Sequence, residues 1–506
     1  MSFDVHDQAA YDALQKKLIP LWKSLQSINT DPQTIVVVPS AEFDLELSPT
    51  ELQAIEERYL FFLLLLRQPR ARLIYVTGQS IHPDIVDYYL DLMPGVVSSH
   101  ARKRLYMVSP MEATPRPLTD KILSRPRLIE RIRSLIIDPD RAHLVPYWAT
   151  WKDRELAMRL GIPMYGADPK DSHLGTKTSS RRLFAESGVN HPIGHQDLPD
   201  REAVADALVR MRQAKPGMRA VVIKHNEGVS GYGNSILGLD GLPPAGDSDE
   251  APAIHDLLDR IPVEAPGTPE KYWSMFAREG GIVEEMVSGA EVRSPSAQLR
   301  VTPLGKVQLL STHDQILGGE SGQIFLGSRF PADPAYAPMI SVDALKVGER
   351  LAALGVIGRF ALDFVVTRDG SGPWSSYAIE INLRKGGTTH GFLTLQFLTD
   401  GRYDPEESVF TAPSGKRKFY VASDHLEVPG LQALTPTDVF DVALMRGLHF
   451  DQSTQVGAAF HMLCSVPELG QLGATCVGDS PEEAQERFEQ TERVLAEEAA
   501  SDQGSG

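Results

Sequence analysis

Apolar residues recur along this chain with two different periods, and the alternation between them predicts the architecture. Leu14, Leu18, Leu21 and Leu25 follow helical spacing, so residues 1–34 read as a helix. Short apolar runs at 34–40 (TIVVVPS), 71–78 (ARLIYVTG), 104–110 (RLYMVSP) and 143–150 (HLVPYWAT) read as strands. Between them lie helical stretches at about 49–67, 82–94 and 118–138, the first opened by Ser48-Pro49 and the second ended by its proline. Strands alternating with helices predict a parallel α/β unit over residues 1–155. Residues 155–214 are helical and strand-poor, ending in a helix from Arg201 to Ala214. A strand-rich stretch then runs from MRAVVIKHNEG (218–228) to about 395. The Pro-, Gly- and Asp-rich residues 241–270 inside it read as a surface insertion. A last unit over 415–496 combines three strands with two helices, opened by Thr435-Pro436 and Ser480-Pro481. The polar residues after Ala499 read as a disordered tail.

Within the strand-rich stretch, residues 359–391 (RFALDFVVTRDGSGPWSSYAIEINLRKGGTTHG) carry the most chemistry. Two apolar runs, Phe360–Val366 and Tyr377–Leu383, flank a loop of Gly, Pro, Ser and Asp, the pattern of a β-hairpin. Side chains alternate faces along a strand, so Ala361, Asp363 and Val365 share one face, and Glu380, Asn382 and Arg384 share one on the return strand. Folding the hairpin near residues 371–372 brings Asp363 opposite Glu380. Like charges opposed across a sheet repel, and a divalent cation between them removes the repulsion. Mg²⁺ takes hard oxygen ligands of this kind, and Asn382 adds a neutral oxygen one pleat beyond. A plain solvated strand face is the other reading.

Composition narrows the class. At 506 residues, with 42% hydrophobic and 23% charged residues, the chain is an ordinary globular protein of two to four domains. Its net charge of −17 argues against a nucleic-acid partner. The longest apolar run, Tyr59–Leu66, is too short to span a bilayer, the N-terminus lacks a signal pattern, and two cysteines, Cys464 and Cys476, suit a reducing cytoplasm.

Four further segments point toward nucleotide chemistry. KHNEGVSGYGN (224–234) follows a strand: Lys224 supplies a charge for phosphate oxygens, Gly228, Gly231 and Gly233 allow close backbone approach, and Ser230 can donate. A plain hairpin turn fits the same glycines. It is neither a P-loop nor a dinucleotide-binding turn, lacking the GK[ST] of one and the following helix of the other. GIVEEMVSGAEV (281–292) ends an apolar strand in Glu284 and Glu285, then turns to Glu291; a purine and its ribose would find partners there. GTKTSSRRLFAESGVNHP (175–192) is a helix starting at Lys177 and closed by Gly188. SPSAQLRVTPLGKVQLLSTHDQILGG (294–319) is a pair of strands that brings Arg300, His313, Asp314 and Gln315 near the same sheet.

Taken in order, these segments resemble the ATP-grasp superfamily of carboxylate–amine ligases, and most closely the pheganomycin-type peptide ligases. HPDIVDYYLDLMPGV, LTDKILSRP, LGIPMYG, GTKTSSRRLFAESGV, GRFALDF, EINLRKGGTTHGF and LHFDQSTQVGAAFHML carry the likeness over about residues 35–480. The resemblance implies an α/β fold, α+β in the ATP domain. An N-terminal pre-ATP-grasp domain (1–155) precedes an ATP-grasp domain (156–400, with a lid at about 215–290), a small C-terminal α/β domain (413–496) and a tail (497–506). It implies ATP and two Mg²⁺ ions, or Mn²⁺, held by Asp363, Glu380 and Asn382. Lys177 and Lys224 would bind the α- and β-phosphates, and Gly228, Ser230 and Gly231 would cover the β/γ-phosphates. Glu284 would reach the adenine amino group by its side chain, Glu285 by its carbonyl, and the Val287 amide a ring nitrogen, while Glu291 holds the ribose. Arg300, Arg359 and Arg384 would stabilise an acyl phosphate. The implied activity is ADP-forming amide synthesis from a small-molecule carboxylate and amine, such as amino acids or peptides, in the cytoplasm without membrane or nucleic acid. A non-catalytic nucleotide-binding protein and a small-molecule kinase are the alternatives. The last unit is expected to line the amine entrance with His425, His449, His461 and Arg446, or to act as a packed cap or homodimer interface.

Overall fold

The computed structural model describes residues 4–26, 32–42, 47–228, 233–263, 267–319 and 322–503. In the first unit β1 (Gln33–Val38), β2 (Ala71–Val76), β3 (Leu105–Val108) and β4 (Ala142–Pro146) form a parallel sheet in the order β3-β2-β1-β4. Both faces are covered, as the unbroken apolar runs require: Ile35 and Val37 pack into one hydrophobic cluster, Val36 and Val38 into another.

Three of the expected helices break where local chemistry overrides the pattern. Residues 1–34 hold two helices, Gln8–Gln15 and Leu18–Gln26, before β1 begins. The 118–138 stretch is two helices, Leu118–Leu123 and Pro126–Leu135, because the residue before a proline disfavours helical backbone and Arg125 takes φ −126°, ψ 85°. The 49–67 stretch is α-helical only over Pro49–Glu57, continuing as the 3₁₀ segment Leu60–Arg67. Leu60, Phe61, Leu63, Leu64 and Leu66 are buried there in one cluster with Phe392, Leu395 and Leu398. This longest apolar run is thus core between the first unit and the helix Gly387–Thr399 that follows β14, and among the described residues no helix is long and apolar enough to cross a membrane.

β5 (Gly194–Leu198), β6 (Ala220–His225), β7 (Asn234–Gly238) and β8 (Gly281–Glu285) form a small antiparallel sheet in the order β5-β8-β6-β7. β5 falls in the stretch read as strand-poor: GHQDL has no apolar alternation, and its pairing to β8 decides its conformation. Gly281 is required at the start of β8, since a Cβ there would lie 2.3 Å from the Lys224 carbonyl. The expected surface insertion 241–270 instead contributes a helix, Glu250–Asp259, whose Ile254 and Leu258 are buried in this sheet's core. Its Glu250 makes a buried 2.5 Å ion pair with Arg212.

The central sheet is built from β9 (Glu291–Arg293), β10 (Pro295–Val301), β11 (Val307–Gly318), β12 (Ile324–Phe330), β13 (Gly358–Arg368) and β14 (Ser375–Asn382). After a two-stranded hairpin, β15 (Arg402–Asp404) and β16 (Val409–Thr411), it continues with β17 (Phe419–Glu427), β18 (Gly457–His461) and β19 (Gln471–Gly478). The order is β14-β13-β10-β11-β12-β17-β19-β18, with β9 paired to β13. The strands of the last unit therefore extend the central sheet through the β12–β17 pairing, and the boundary expected near 413 is not a break between sheets. The expected 497–506 tail is a further correction: the last helix runs from Pro481 to Gln503, anchored by buried Val494, Leu495 and Ala499, and only 504–506 lie outside the described residues.

His313 of β11 sits in this core with its Nε2 2.8 Å from the Tyr420 hydroxyl, and burial, then His390 nearby, push its pKa down to about 3. A depressed histidine contributes stability that is complete above its unfolded value near 6.5 and is lost as pH falls from there toward 3. The stability advantage of the wild type over His313→Gln should therefore shrink by about 3 kcal/mol between pH 7.5 and pH 4.5. Denaturant unfolding of both proteins at the two pH values measures it; an unchanged gap would show that the imidazole is protonated in the fold.

Candidate active site

β13 and β14 pair with Asp363 directly opposite Glu380 and Ala361 opposite Asn382. Two donors converge on Asp363: Asn382 Nδ2 on its Oδ2 at 2.8 Å, and Gln315 Nε2, from β11, on its Oδ1 at 2.9 Å. Lys177, at the start of the helix Lys177–Glu186, places its Nζ 2.7 Å from Glu380 Oε1 and donates to the Gly228 carbonyl at 2.7 Å. Arg384, just past β14, lies with its guanidinium 5.3 Å from the ring of Trp148.

These contacts split the two carboxyls electrostatically. Burial, and then Glu380 beside it, push Asp363 up to about 7. Burial would raise Glu380 as well, but contact with Lys177 and the field of Arg384 hold it below the ordinary value. Two opposed carboxylates with a carboxamide one pleat away form a hard-oxygen donor set, and the repulsion that adds to burial in raising Asp363 is one that a divalent cation relieves. The residues present fit Mg²⁺.

The pair opens into a cleft of ≈ 380 Å³. That lies within the roughly 300–1,000 Å³ of a small-molecule pocket. Its walls include Lys224 from β6, Arg58 and Tyr147 from the first unit, and Asp424 and His425 from the last. Sequence patterns did not mark Trp148, Arg58, Tyr147 or Asp424, which come from separate units. Gln315 stood out only as a neighbour of the sheet.

The lid residues are arranged differently from the expectation for Glu284. Its carboxylate is buried and ion-paired with Lys224 and with Arg181 Nη1, the latter at 3.0 Å. The antiparallel register sets Glu284 across from Val222, diagonal to Lys224 on the same face, so the acid meets the lysine and not an open pocket. Glu285 turns its side chain to Lys215 at 2.5 Å. The chain then leaves the sheet, and Val287 lies in the connection between β8 and β9. Glu291 pairs with Arg368 at 2.7 Å across the β9–β13 register. Gly228 meets Lys177 as above, whereas Ser230 and Gly231 lie outside the described residues.

Arg300 and Arg359 are grouped with each other and not with Arg384: they are direct register partners across β10 and β13, four residues from Asp363. Of the last unit's candidates, His425 faces the cleft and His461 is buried with Nε2 2.8 Å from Asp424 Oδ1. His449 is exposed beside β18, and Arg446 pairs on the surface with Glu497 and Glu498 of the last helix. His390 Nε2 lies 3.0 Å from the same Asp424 oxygen, and Arg58 meets the carboxylate's other oxygen. The two thiols are free; burial pushes Cys476 up to about 12, and burial with Glu57 raises Cys464, so neither is a ready nucleophile.

A family model described as IQCH-like, ATP-grasp matches residues 266–406, and one described as PGM1 C-terminal domain matches 438–491. The chain is 29% identical over 437 residues to an L-propargylglycine–L-glutamate ligase of Streptantibioticus cattleyicolor, covering 85% of this chain and 86% of that protein. It is 22% identical to the IQ motif-containing protein H of Danio rerio over 87% of this chain, and spans about half the length of that relative (46%). Among solved structures, an N5-carboxyaminoimidazole ribonucleotide synthetase in complex with ADP superposes with TM-score 0.51 at 11% identity, covering 92% of this chain and 97% of that one. The biotin carboxylase domain of a Hydrogenobacter thermophilus 2-oxoglutarate carboxylase superposes with TM-score 0.53 at 14% identity, covering 91% and 89%. These last two likenesses concern the fold. These matches make the chain similar to ATP-grasp proteins over residues 266–406 and, over most of its length, to an amino-acid ligase.

Proposed function

We propose that this protein joins the carboxylate of an amino acid or short peptide to the amine of a second one, at the expense of ATP, through an acyl phosphate. The observation that carries the reading is the opposed pair Asp363 and Glu380, flanked by Lys177 and Arg384. The amino-acid substrate class is supported by the curated relative, which is named for joining L-propargylglycine and L-glutamate.

In this account Asp363, Glu380 and Asn382 would hold Mg²⁺, two ions in the full complex. Bound there, Mg²⁺ supplies charge neutralisation for the β- and γ-phosphate oxygens. Lys177 and Lys224 hold the α- and β-phosphates as point charges, Lys177 exchanging its contact with Glu380 for phosphate oxygen. The Glu285 carbonyl and Val287 amide meet the adenine edge, and Glu291 the ribose hydroxyls. Glu284 acts by fixing Lys224, not by touching adenine. Gly228, already beside Lys177, would let the backbone approach the phosphates closely. Arg384, braced on Trp148, meets the charge that develops as a carboxylate oxygen attacks the γ-phosphoryl group and ADP leaves. An amine then attacks the acyl carbon, phosphate departs, and an amide remains. No enzyme nucleophile enters.

An ADP-release screen of amino acids, singly and in pairs, tests the reading. ADP formation that requires both a carboxylate and an amine, with a product mass equal to the two substrates less water, is expected. A product heavier by a phosphoryl group would make the protein a kinase, and no ADP from any pair would favour a nucleotide binder.

A further inference from the structure

The sheet face that carries Asp363 and Glu380 carries a second like-charged pair, of opposite sign. Arg300 of β10 is directly across from Arg359 of β13, and Ser296 is across from Asp363 in the same register. With a two-residue period, Arg359, Ala361 and Asp363 project from one face, and four residues of strand span about 13 Å. Opposed like charges on neighbouring strands repel. Here no acid intervenes: among the described residues neither arginine has a carboxylate partner. The single hydrogen bond of the Arg300 guanidinium is from Nε to Gln308 Oε1, at 2.7 Å.

Apart from Gln308, the polar groups around the pair are unsatisfied donors. The Arg300 guanidinium lies 5.0 Å from the ring of Trp22, and Trp22 and Tyr165 have ring centroids 5.7 Å apart. Arg359 Nη1, Trp22 Nε1 and the Tyr165 hydroxyl are all buried and, among the described residues, all lack a hydrogen-bond partner. Tyr165 is felt electrostatically by both arginines, and burial, followed for Arg359 by Arg300, holds both guanidinium groups below their ordinary pKa values. On the far side Lys385 adds another positive group to Arg359, and burial followed by that charge pushes it down to about 7. Buried polar groups are ordinarily paired, and buried charges more so. Three orphan donors beside two opposed cations at one spot call for an acceptor with negative charge, just as the opposed carboxylates call for a cation.

We propose that Arg300, Arg359, Trp22 and Tyr165 form a second anion pocket, which takes a carboxylate or phosphate group carried by the substrate away from its reacting end. Guanidinium forks match either oxyanion, and the aromatic rings exclude water around it. The site lies where the first unit covers the central sheet: Trp22 covers Arg300 at one end as Trp148 covers Arg384 at the other. A ligand lying along β13 thus meets the cation site with one end and the arginine pair with the other, which selects substrates bearing two anionic groups. That the ligand is a substrate rests on the ligase reading; that the pocket binds an anion does not.

The test uses the full chain without nucleotide, titrated with glutarate and separately with inorganic phosphate, and followed by thermal shift and tryptophan fluorescence. Saturable binding of at least one anion is expected, weakened at least tenfold in Arg300→Met and Arg359→Met. Trp22→Phe and Tyr165→Phe keep the rings while removing one donor each, so they fold where the arginine variants fail to, and they should weaken binding several-fold. Glu380→Gln should bind the anion as the wild type does. Binding of glutarate identifies a substrate carboxylate, and binding of phosphate alone identifies a phosphorylated substrate. Absence of saturable binding of both, or equal affinity in wild type and all four pocket variants, overturns the proposal. Because no turnover is read, a failure of the ligase assignment leaves this outcome unaffected.

Discussion

Glu380→Ala should lose ADP formation by at least about a hundredfold, since outer-sphere changes at metal sites already cost 10–100-fold and this residue would touch the metal directly. The fold should survive. Glu380 adds repulsion to Asp363, and its one ion pair is with Lys177, which keeps the Gly228 carbonyl as an acceptor. Removing a group that strains its neighbour costs little stability and can add some, the usual trade at a functional site. The wild type should also gain melting temperature when Mg²⁺ is added, because a ligand bound only by the folded state stabilises it, and the variant should gain none. Turnover near the wild-type rate, or an unchanged Mg²⁺ response, would remove Glu380 from the metal site.

The largest stability effect should come from Glu284→Ala. Glu284 is buried between Lys224 and Arg181, both also buried, and its removal leaves two buried positive charges without their carboxylate, although Arg181 keeps the Pro192 carbonyl. Breaking a buried ion pair from one side costs about 3–5 kcal/mol. Replacing all three with apolar residues of similar size should restore most of that loss, because desolvation offsets much of the attraction in the intact group. Denaturant unfolding separates this account from adenine recognition by the Glu284 side chain. That alternative leaves stability intact and raises only the Michaelis constant for ATP.

The hairpin was legible because two local rules intersect there. A two-residue period fixes which side chains share a face, and repulsion between opposed acids singles out Asp363 and Glu380; the observed register pairs them as that reasoning requires. The parallel first sheet was legible from the alternation of strands with helices. Other elements were hidden for stated reasons. Tyr59–Leu66 is apolar on every side, so it carries no period, and its 3₁₀ form is set by burial between two units. β5 has no apolar alternation and exists through its pairing with β8. The helix Glu250–Asp259 sits in a Pro- and Gly-rich setting that masks its buried face of Ile254 and Leu258. Glu284 shows the limit of motif spacing: position along the chain places it at a hinge, but cross-strand register gives its carboxylate to Lys224. Trp22 and Tyr165 meet Arg300 and Arg359 across long stretches of sequence, and no local pattern announces such a meeting.

The central claim is that a substrate carboxylate takes the γ-phosphoryl group, and oxygen tracing tests it most directly. Amino acids labelled with ¹⁸O in their carboxylates are supplied with Mg²⁺, ATP and an amine, and the released phosphate is analysed by mass spectrometry. Attack by the carboxylate transfers one labelled oxygen to each phosphate formed. Phosphate that carries no label while amide accumulates would contradict the acyl-phosphate account.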